Sequence, residues 1–225
     1  WSGQMNMAKV SLRKRWLLTL SIVFALATVL PIERLDLRDL VNISLKWPAK
    51  STNSLSIVSS GTSRALEKKE KHKIPHILIF TYATDILKTR KPRMFFDNVR
   101  NTIHMYKSHW KEPDAQVIFL DDKKCVDILK AVEPQLVSHF INEPLGVYKA
   151  DICRIASLYY YGGYYFDIDV KVMIPTSLPS DVSFSTVLQP ERKDFFQAFM
   201  ASAPGHPVLR RALRAMLYVY LGQLK

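Results

Sequence analysis

Residues 147–175 constrain the fold of this chain more than any other stretch of the sequence. They combine a helical apolar pattern, a glycine pair, an aromatic run and two closely spaced aspartates. The pair Gly162-Gly163 ends the helix, because glycine adopts backbone angles that other residues avoid. The predicted helix buries one face, on which apolar residues lie three and four apart: Ile152, Ile155, Ala156 and Tyr159.

The aromatic run Tyr164-Tyr165-Phe166 predicts a buried strand that continues into Asp167-Ile168-Asp169. Because side chains alternate along a strand, Asp167 and Asp169 are expected to point to the same side. Two carboxylates placed there repel each other and lose hydration, so a bound cation is expected between them. Oxygen ligands suit Mn²⁺ or Mg²⁺ and leave coordination positions free for phosphate oxygens. The alternative is a strand that runs into a solvated acidic turn.

Asp151 and Arg154 lie three residues apart on the predicted helix and therefore share a face. A carboxylate and a guanidinium fork suit hydroxyls and phosphate oxygens, so both side chains are candidates for contact with one ligand. The alternative is an intrahelical ion pair that stabilises the helix by about 0.2–0.5 kcal/mol.

Two further strands are predicted, over the apolar runs 74–82 and 115–120. Asp121-Asp122 follows the second of them, and we expect it to cap the next helix, over 123–132, rather than to form a second metal site. The helices that follow the two strands show apolar faces at helical spacing: Phe95, Val99, Ile103 and Tyr106 in one, and Cys125, Ile128, Leu129 and Val132 in the other.

This alternation of strands and helices indicates an α/β layer with a largely parallel sheet. Ligands of such sheets bind at the carboxyl ends of the strands. Tyr82, Asp167 and Asp169 all lie at predicted carboxyl ends, so the functional site is expected there.

The amino-terminal part of the chain predicts a membrane anchor. Residues 16–32 carry no charge and follow a basic segment, and about 17 residues is the short limit for a membrane span. Basic residues keep their side of a span cytosolic, which predicts a cytosolic tail over 1–15, a type II signal anchor over 16–32 and a lumenal remainder. The alternatives are a signal peptide cleaved after Ala25-Leu26-Ala27 and a buried core helix.

Residues 33–73 offer few apolar groups to offset chain entropy, so we expect a flexible stem that leads to a folded domain over 74–225. Asn42-Ile43-Ser44 within that stem is an N-glycosylation sequon, which agrees with a lumenal orientation.

The net charge is +12, but the basic residues occur in short runs and form no known nucleic-acid-binding motif. We therefore expect no nucleic-acid partner. Cys125 and Cys153 are too few for a disulfide scaffold, and the sequence does not decide between one bridge and none.

The Asp-x-x-Arg, Gly-Gly and Asp-x-Asp elements at these offsets resemble the DXD-motif sugar-transferase region of glycosyltransferase family 32. That family includes outer-chain α-1,6-mannosyltransferases and α-1,4-galactosyltransferases, and it is similar to the catalytic core of the glucosylating toxins. The likeness runs from about Lys73 to about Leu213. It is weakest at Ile79-Phe80, where the family has His-Gln, and at Tyr82, where the family has Trp.

The resemblance implies a GT-A-like, Rossmann-type, mostly parallel sheet flanked by helices, behind the amino-terminal transmembrane helix. It also implies a retaining glycosyltransferase that depends on Mn²⁺ (or Mg²⁺) and works in the Golgi or endoplasmic reticulum membrane. The donor would be GDP-mannose or a UDP-sugar, and the acceptor a glycan, glycoprotein or glycolipid. Family members continue past the point where this sequence ends, so a carboxyl-terminal truncation is expected. The alternative is a non-catalytic, membrane-anchored homologue that binds nucleotide sugar or glycan only.

The resemblance also assigns roles to individual residues. It makes Asp169 a direct metal ligand and places Asp167 against both ribose and metal, while Asp151 and Arg154 contact the hydroxyls of the donor sugar. These four are the predicted catalytic residues. Tyr82 is expected either to stack on the base or to cap the core. The remaining predicted nucleotide-sugar contacts are Thr81, Gly163 and Tyr165.

Overall fold

The structure is a computed structural model that describes residues 73–189 and 194–223. Strands and helices alternate through the first part of this range, and a strand pair and a helix complete it. The elements in chain order are β1 (Ile77–Thr81), α1 (Ile86–Thr89), α2 (Arg93–Trp110), β2 (Gln116–Leu120), α3 (Asp122–Val132), α4 (Leu136–Asn142), α5 (Gly146–Tyr161), β3 (Gly163–Phe166), β4 (Phe184–Gln189), β5 (Asp194–Ser202) and α6 (Pro207–Tyr220).

The strands of the described residues form one sheet in the order β2-β1-β3-β5-β4. Strand β1 pairs in parallel with β2 and with β3, whereas β5 is antiparallel to both β3 and β4. Four of these five strands therefore run in one direction, which confirms the mixed, mostly parallel sheet. The sequence patterns did not predict the β4–β5 hairpin.

Helices cover both faces of this sheet. Alternate residues of β1 point to opposite faces, with Ile79 in one apolar cluster and Leu78 and Phe80 in the other. The first cluster contains side chains from α3, α4, α5 and α6, and the second contains side chains from α2. The three-layer arrangement expected of an α/β fold is thus present.

The predicted helix faces are confirmed in α2 and α3. Val99 and Tyr106 of α2 are buried, as are all four of the apolar positions predicted in α3. The side chain of Asp121 accepts a hydrogen bond of 2.9 Å from the backbone N–H of Lys124. Asp121 is therefore the N-cap of α3, as the sequence predicted.

Helix α5 is buried on more than the one predicted face, because every residue from Ile152 to Leu158 is buried. It contacts β1 as well as α3 and α6. A disulfide bond between Cys125 and Cys153, whose Cα atoms are 5.5 Å apart, joins α5 to α3. The bridge that the sequence left open is therefore formed in the structure.

The glycine pair ends α5 as predicted. Gly162 has φ +68°, and its N–H donates to the carbonyl of Leu158. Gly163 has φ +107°, and a Cβ atom there would lie 2.6 Å from the carbonyl oxygen of Ile77. Only glycine fits this position, because the conformation and the close approach of β1 both exclude a side chain.

The predicted cytosolic tail, signal anchor, stem and Asn42 sequon lie outside the described residues. Within 73–189 and 194–223, none of the helices combines the length and the apolar character that a membrane span requires.

Candidate active site

Four of the predicted site residues meet at the carboxyl edge of the sheet. Thr81 is the last residue of β1, and Asp167 directly follows β3, so the parallel pairing of these strands brings both to one edge. Helix α5 runs beside this edge and contributes Asp151 and Arg154.

Arg154 connects the helix to the strand end. Its Nη2 atom lies 3.1 Å from Asp151 Oδ1 and 3.2 Å from Asp167 Oδ1. The arginine side chain is only 7% exposed, while those of the two aspartates are 21% and 25% exposed. The predicted Asp-x-x-Arg pair is therefore present, and it extends to a third residue that the sequence did not connect to it.

Tyr165 also holds the carboxylate of Asp167. Its hydroxyl donates a 2.6 Å hydrogen bond to Asp167 Oδ1. Thr81 Oγ1 lies 3.1 Å from the same hydroxyl. A phenol has one proton, which goes to the carboxylate, so the threonine hydroxyl is the donor in this contact. Tyr165 is fully buried, and the structure therefore places it as a support for Asp167 rather than as a surface for a ligand.

The charges in this cluster depend on one another. Burial raises the pKa of Asp151, Arg154 works against that rise, and Asp167 adds to it. Burial also disfavours the charged form of Arg154, but Tyr165 and the neighbouring carboxylates together leave its pKa above the ordinary value. Arg154 therefore stays charged and holds two carboxylates that would otherwise repel each other.

The DXD segment departs from the expected geometry. Strand β3 ends at Phe166, and Asp167 to Val170 form a turn closed by a hydrogen bond from the Val170 N–H to the Asp167 carbonyl. The predicted extension of the strand through Asp169 was therefore wrong. Ile168 is nevertheless buried, whereas Asp169 is exposed and Asp167 is half-buried, which agrees with the predicted opposite placement of Ile168.

The donor set fits a divalent cation that shares its coordination sphere with a ligand. Among the described residues, no three histidine, cysteine, aspartate or glutamate side chains cluster as a closed metal site. Asp167 Oδ1 is engaged by Tyr165 and Arg154, its Oδ2 accepts a longer contact of 3.5 Å from Arg154, and Asp169 has no hydrogen-bond or ion-pair partner in the described part. Two carboxylates of this kind match the requirement of Mn²⁺ or Mg²⁺ for oxygen ligands with positions left for phosphate.

A cavity of about 290 Å³ opens beside the cluster, at the carboxyl ends of β1 and β2. Tyr82 contributes to its wall and packs edge-on against Phe95 at 5.9 Å between ring centroids. Lys149 Nζ and Asp122 Oδ2 form an ion pair of 2.8 Å in the same wall. Further lining residues are Thr81, Glu143 and Cys153.

Gly163 is not part of this site. It lies at the amino end of β3 against Ile77, at the opposite edge of the sheet from Asp167. The structure therefore explains this glycine by the close approach of β1, and the nucleotide-sugar contact stays a prediction.

Sequence reasoning missed a second set of residues around the cavity. The hydroxyl of Tyr220, at the end of α6, donates a 2.8 Å hydrogen bond to Glu143 Oε2. Burial raises the pKa of Tyr220, and the charges of Glu143 and Asp151 raise it further. The end of α6 thus lies near the cluster, a contact between distant segments that no local motif signals.

Strand β5 also reaches the site. The N–H of Asp167 donates a 2.9 Å hydrogen bond to the carbonyl of Ala198. Gln197 Oε1 and Arg154 Nε are buried polar atoms that have no hydrogen-bond partner among the described residues. Buried groups of this kind call for a partner, and a polar ligand would supply one.

Comparisons with known proteins agree with this geometry. Residues 95–185 match the family described as "Glycosyltransferase sugar-binding region containing DXD motif". The Asp-x-Asp sequence within that range is Asp167-Ile168-Asp169. Inositol phosphoceramide mannosyltransferase 1 of Schizosaccharomyces pombe is 27% identical over 172 residues, which cover 74% of this chain and 50% of that relative. The chain therefore spans about half the length of this relative. The resemblance drawn from the sequence is confirmed over residues 95–185, which match the glycosyltransferase sugar-binding region that contains a DXD motif.

Proposed function

We propose that this chain is a retaining, metal-dependent glycosyltransferase that moves a hexose from a nucleotide sugar to a glycan, glycoprotein or glycolipid. The observation that carries the proposal is the contact of Arg154 with both Asp151 and Asp167, at the sheet edge where an α/β fold binds its ligands. This contact joins the helix and the DXD turn into one polar surface, which lies beside a cavity large enough for a base.

Different residues of this surface are assigned to different parts of the donor. The cavity bounded by Tyr82 takes the nucleoside, and the ring of Tyr82 offers a stacking surface for the base. Asp151 and Arg154, whose buried Nε–H has no partner in the described residues, would contact the sugar hydroxyls and phosphate oxygens. Tyr165 and Thr81 keep Asp167 in place for its contacts with ribose and metal.

Asp167 and Asp169 would hold the Mn²⁺ or Mg²⁺ ion. When bound, the ion offsets the charge of the departing diphosphate as a Lewis acid. Arg154 adds a fixed positive charge near the diphosphate. Because the arginine is buried, the electrostatic interaction of this charge is stronger than it would be in water. The protein thus stabilises the leaving group from two directions.

Retention of the anomeric configuration is what the family resemblance implies, and the carboxylates bear only on how it would be achieved. Asp151 is paired with Arg154, and Asp167 with both Arg154 and Tyr165, so we assign neither as a covalent nucleophile. We therefore propose that the acceptor attacks on the face from which the diphosphate leaves. NMR of the product linkage tests this, because an inverted linkage contradicts it.

The name of the Schizosaccharomyces pombe relative describes a mannosyltransferase of inositol phosphoceramide. It supports mannose as the transferred sugar and a glycolipid as the acceptor of this chain. We further propose a GT-A-like fold for the complete protein and a type II position in the Golgi or endoplasmic reticulum membrane, anchored by residues 16–32. The Cys125–Cys153 disulfide supports a lumenal domain, because disulfides persist in oxidising compartments.

The test is nucleoside-diphosphate release by the full chain from GDP-mannose, UDP-galactose and UDP-N-acetylglucosamine, with Mn²⁺ or with a chelator. We expect metal-dependent turnover of one donor, abolished in Asp169→Ala and retained in Asp181→Ala, an exposed aspartate outside the cluster. A folded protein that binds a donor without turning it over supports the alternative of a non-catalytic homologue.

A further inference from the structure

We propose that Asp122 and Lys149 form a pair that selects guanine as the base of the donor. The inference rests on the proposed function, since it assigns the nucleotide within the same donor site. It thereby separates the two donor classes that the sequence left open, a GDP-sugar and a UDP-sugar.

Asp122 and Lys149 lie where they could contact the base of a bound nucleotide. Both line the cavity of about 290 Å³ that Tyr82 also lines. This volume is at the low end for small-molecule sites, so it suits one base rather than a whole nucleotide sugar. A base stacked on Tyr82 therefore presents its polar edge to charged groups in the same wall.

The pair is held in place but not closed to a ligand. Lys149 Nζ lies 2.8 Å from Asp122 Oδ2 and 5.1 Å from the centroid of the Phe140 ring. The side chain of Lys149 is 22% exposed and that of Asp122 is 44% exposed. Asp122 Oδ1 has no hydrogen-bond partner among the described residues, so the carboxylate retains acceptor capacity.

Guanine is complementary to this pair. Its Watson–Crick edge carries the N1–H and the N2 amino group side by side, followed by the O6 carbonyl. A carboxylate accepts from both N–H groups at once, and an ammonium group beside it donates to O6. Asp122 and Lys149 supply these groups next to each other.

Uracil matches only part of the pair. Its N3–H and O4 can replace the N1–H and O6 of guanine. Where guanine has the N2 amino group, however, uracil has the O2 carbonyl, which faces a carboxylate oxygen with like partial charge. One hydrogen bond is lost and a repulsion is added. A preference of about 10- to 100-fold in affinity, which corresponds to about 1.4–2.7 kcal/mol, lies within the range by which a bidentate contact discriminates between bases.

Equilibrium binding of GDP, UDP and inosine diphosphate to the full chain, with Mn²⁺ present, tests the inference. Inosine diphosphate differs from GDP only by lacking the N2 amino group. We expect GDP to bind about 10- to 100-fold more tightly than UDP, and inosine diphosphate to bind more weakly than GDP. The wild-type comparison alone decides this point and needs no variant to fold.

The variant Asp122→Asn tests whether Asp122 causes the preference for GDP. We expect this variant to lose most of the preference for GDP over both other nucleotides. Asp127→Asn, on the same helix and paired with Lys130 outside the cavity, is the matched control and keeps the preference. Tighter binding of UDP than of GDP, or an unchanged preference in Asp122→Asn, overturns the inference and leaves the proposed function standing. A folded wild-type chain that binds none of the three nucleotides overturns both.

Discussion

Replacing Arg154 by methionine tests the cluster at its centre. The substitution keeps a long side chain but removes the positive charge that contacts both Asp151 and Asp167. Breaking a buried ion pair by removing one partner costs about 3–5 kcal/mol, because the remaining charge is left without compensation. The two carboxylates are 21% and 25% exposed, so water reaches them in part and the low end, about 3 kcal/mol, is expected.

The loss should also depend on pH. Burial already raises the folded-state pKa of Asp151, and removal of Arg154 takes away the charge that opposes this rise. A carboxyl whose folded pKa lies above its unfolded value contributes stability that is full below the unfolded pKa, about 3.9, and is lost as the pH rises through the folded pKa. The variant should therefore lie furthest below the wild type at neutral pH and approach it as the pH falls.

Urea denaturation of both proteins at pH 7.5 and pH 5 measures this difference. A loss of about 3 kcal/mol corresponds to a fall in Tm of roughly 6–12 °C for a domain of this size. The control is Arg93→Met, which removes an exposed i,i+4 pair with Asp97 and should cost less than about 1 kcal/mol at either pH. A deficit in Arg154→Met below about 1 kcal/mol, or one that grows towards acid pH, would show that Arg154 does not offset the charges of the two aspartates.

Three further changes test the supports of the site. Replacing Cys125 and Cys153 by alanine should lower the free energy of unfolding by about 3–4 kcal/mol, because the bridge closes a loop over a sequence separation of 28 residues; chemical denaturation measures it. Gly163→Ala should cost more than about 1 kcal/mol by the same assay, because φ is +107° and the new Cβ meets a backbone carbonyl. Tyr165→Phe should cost about 1–3 kcal/mol and lower kcat, because Asp167 loses its 2.6 Å hydrogen bond.

Each of these has a clear contrary outcome. Cysteine variants as stable as the wild type under oxidising conditions would show that the bridge does not constrain α5. A Gly163→Ala protein of unchanged stability would contradict the close approach of β1. Full activity in Tyr165→Phe would show that Asp167 needs no support from the buried hydroxyl.

The sequence predicted the parts of the fold that depend on local pattern. Three such parts are confirmed by the structure: the glycine pair, the apolar faces of α2 and α3, and the cap at Asp121. Each depends on residues within about four positions of one another in the sequence. The β4–β5 hairpin was not predicted, because its pairing and its irregular register between Thr186 and Val187 depend on contacts with β3 rather than on a local turn signal.

The sequence predicted which residues form the site better than it predicted how they contact one another. Asp151 and Arg154 share a helix face because of their spacing, and the ion pair follows from that. The contact of Arg154 with Asp167 crosses from helix to strand end, and no spacing rule places it. The turn at Asp167 likewise depends on the hydrogen bond to Ala198, a residue of a strand that local pattern did not reveal.

We propose that the Asp151–Arg154–Asp167 cluster and the DXD turn form the donor site. Electron density of the full protein crystallised with Mn²⁺ and a nucleotide sugar would locate the donor. We expect metal density against Asp167 and Asp169, the sugar against Asp151 and Arg154, and the base in the cavity beside Tyr82. A donor bound elsewhere, for example in the groove between β2 and Tyr160, with this cluster left without ligand density, would contradict it.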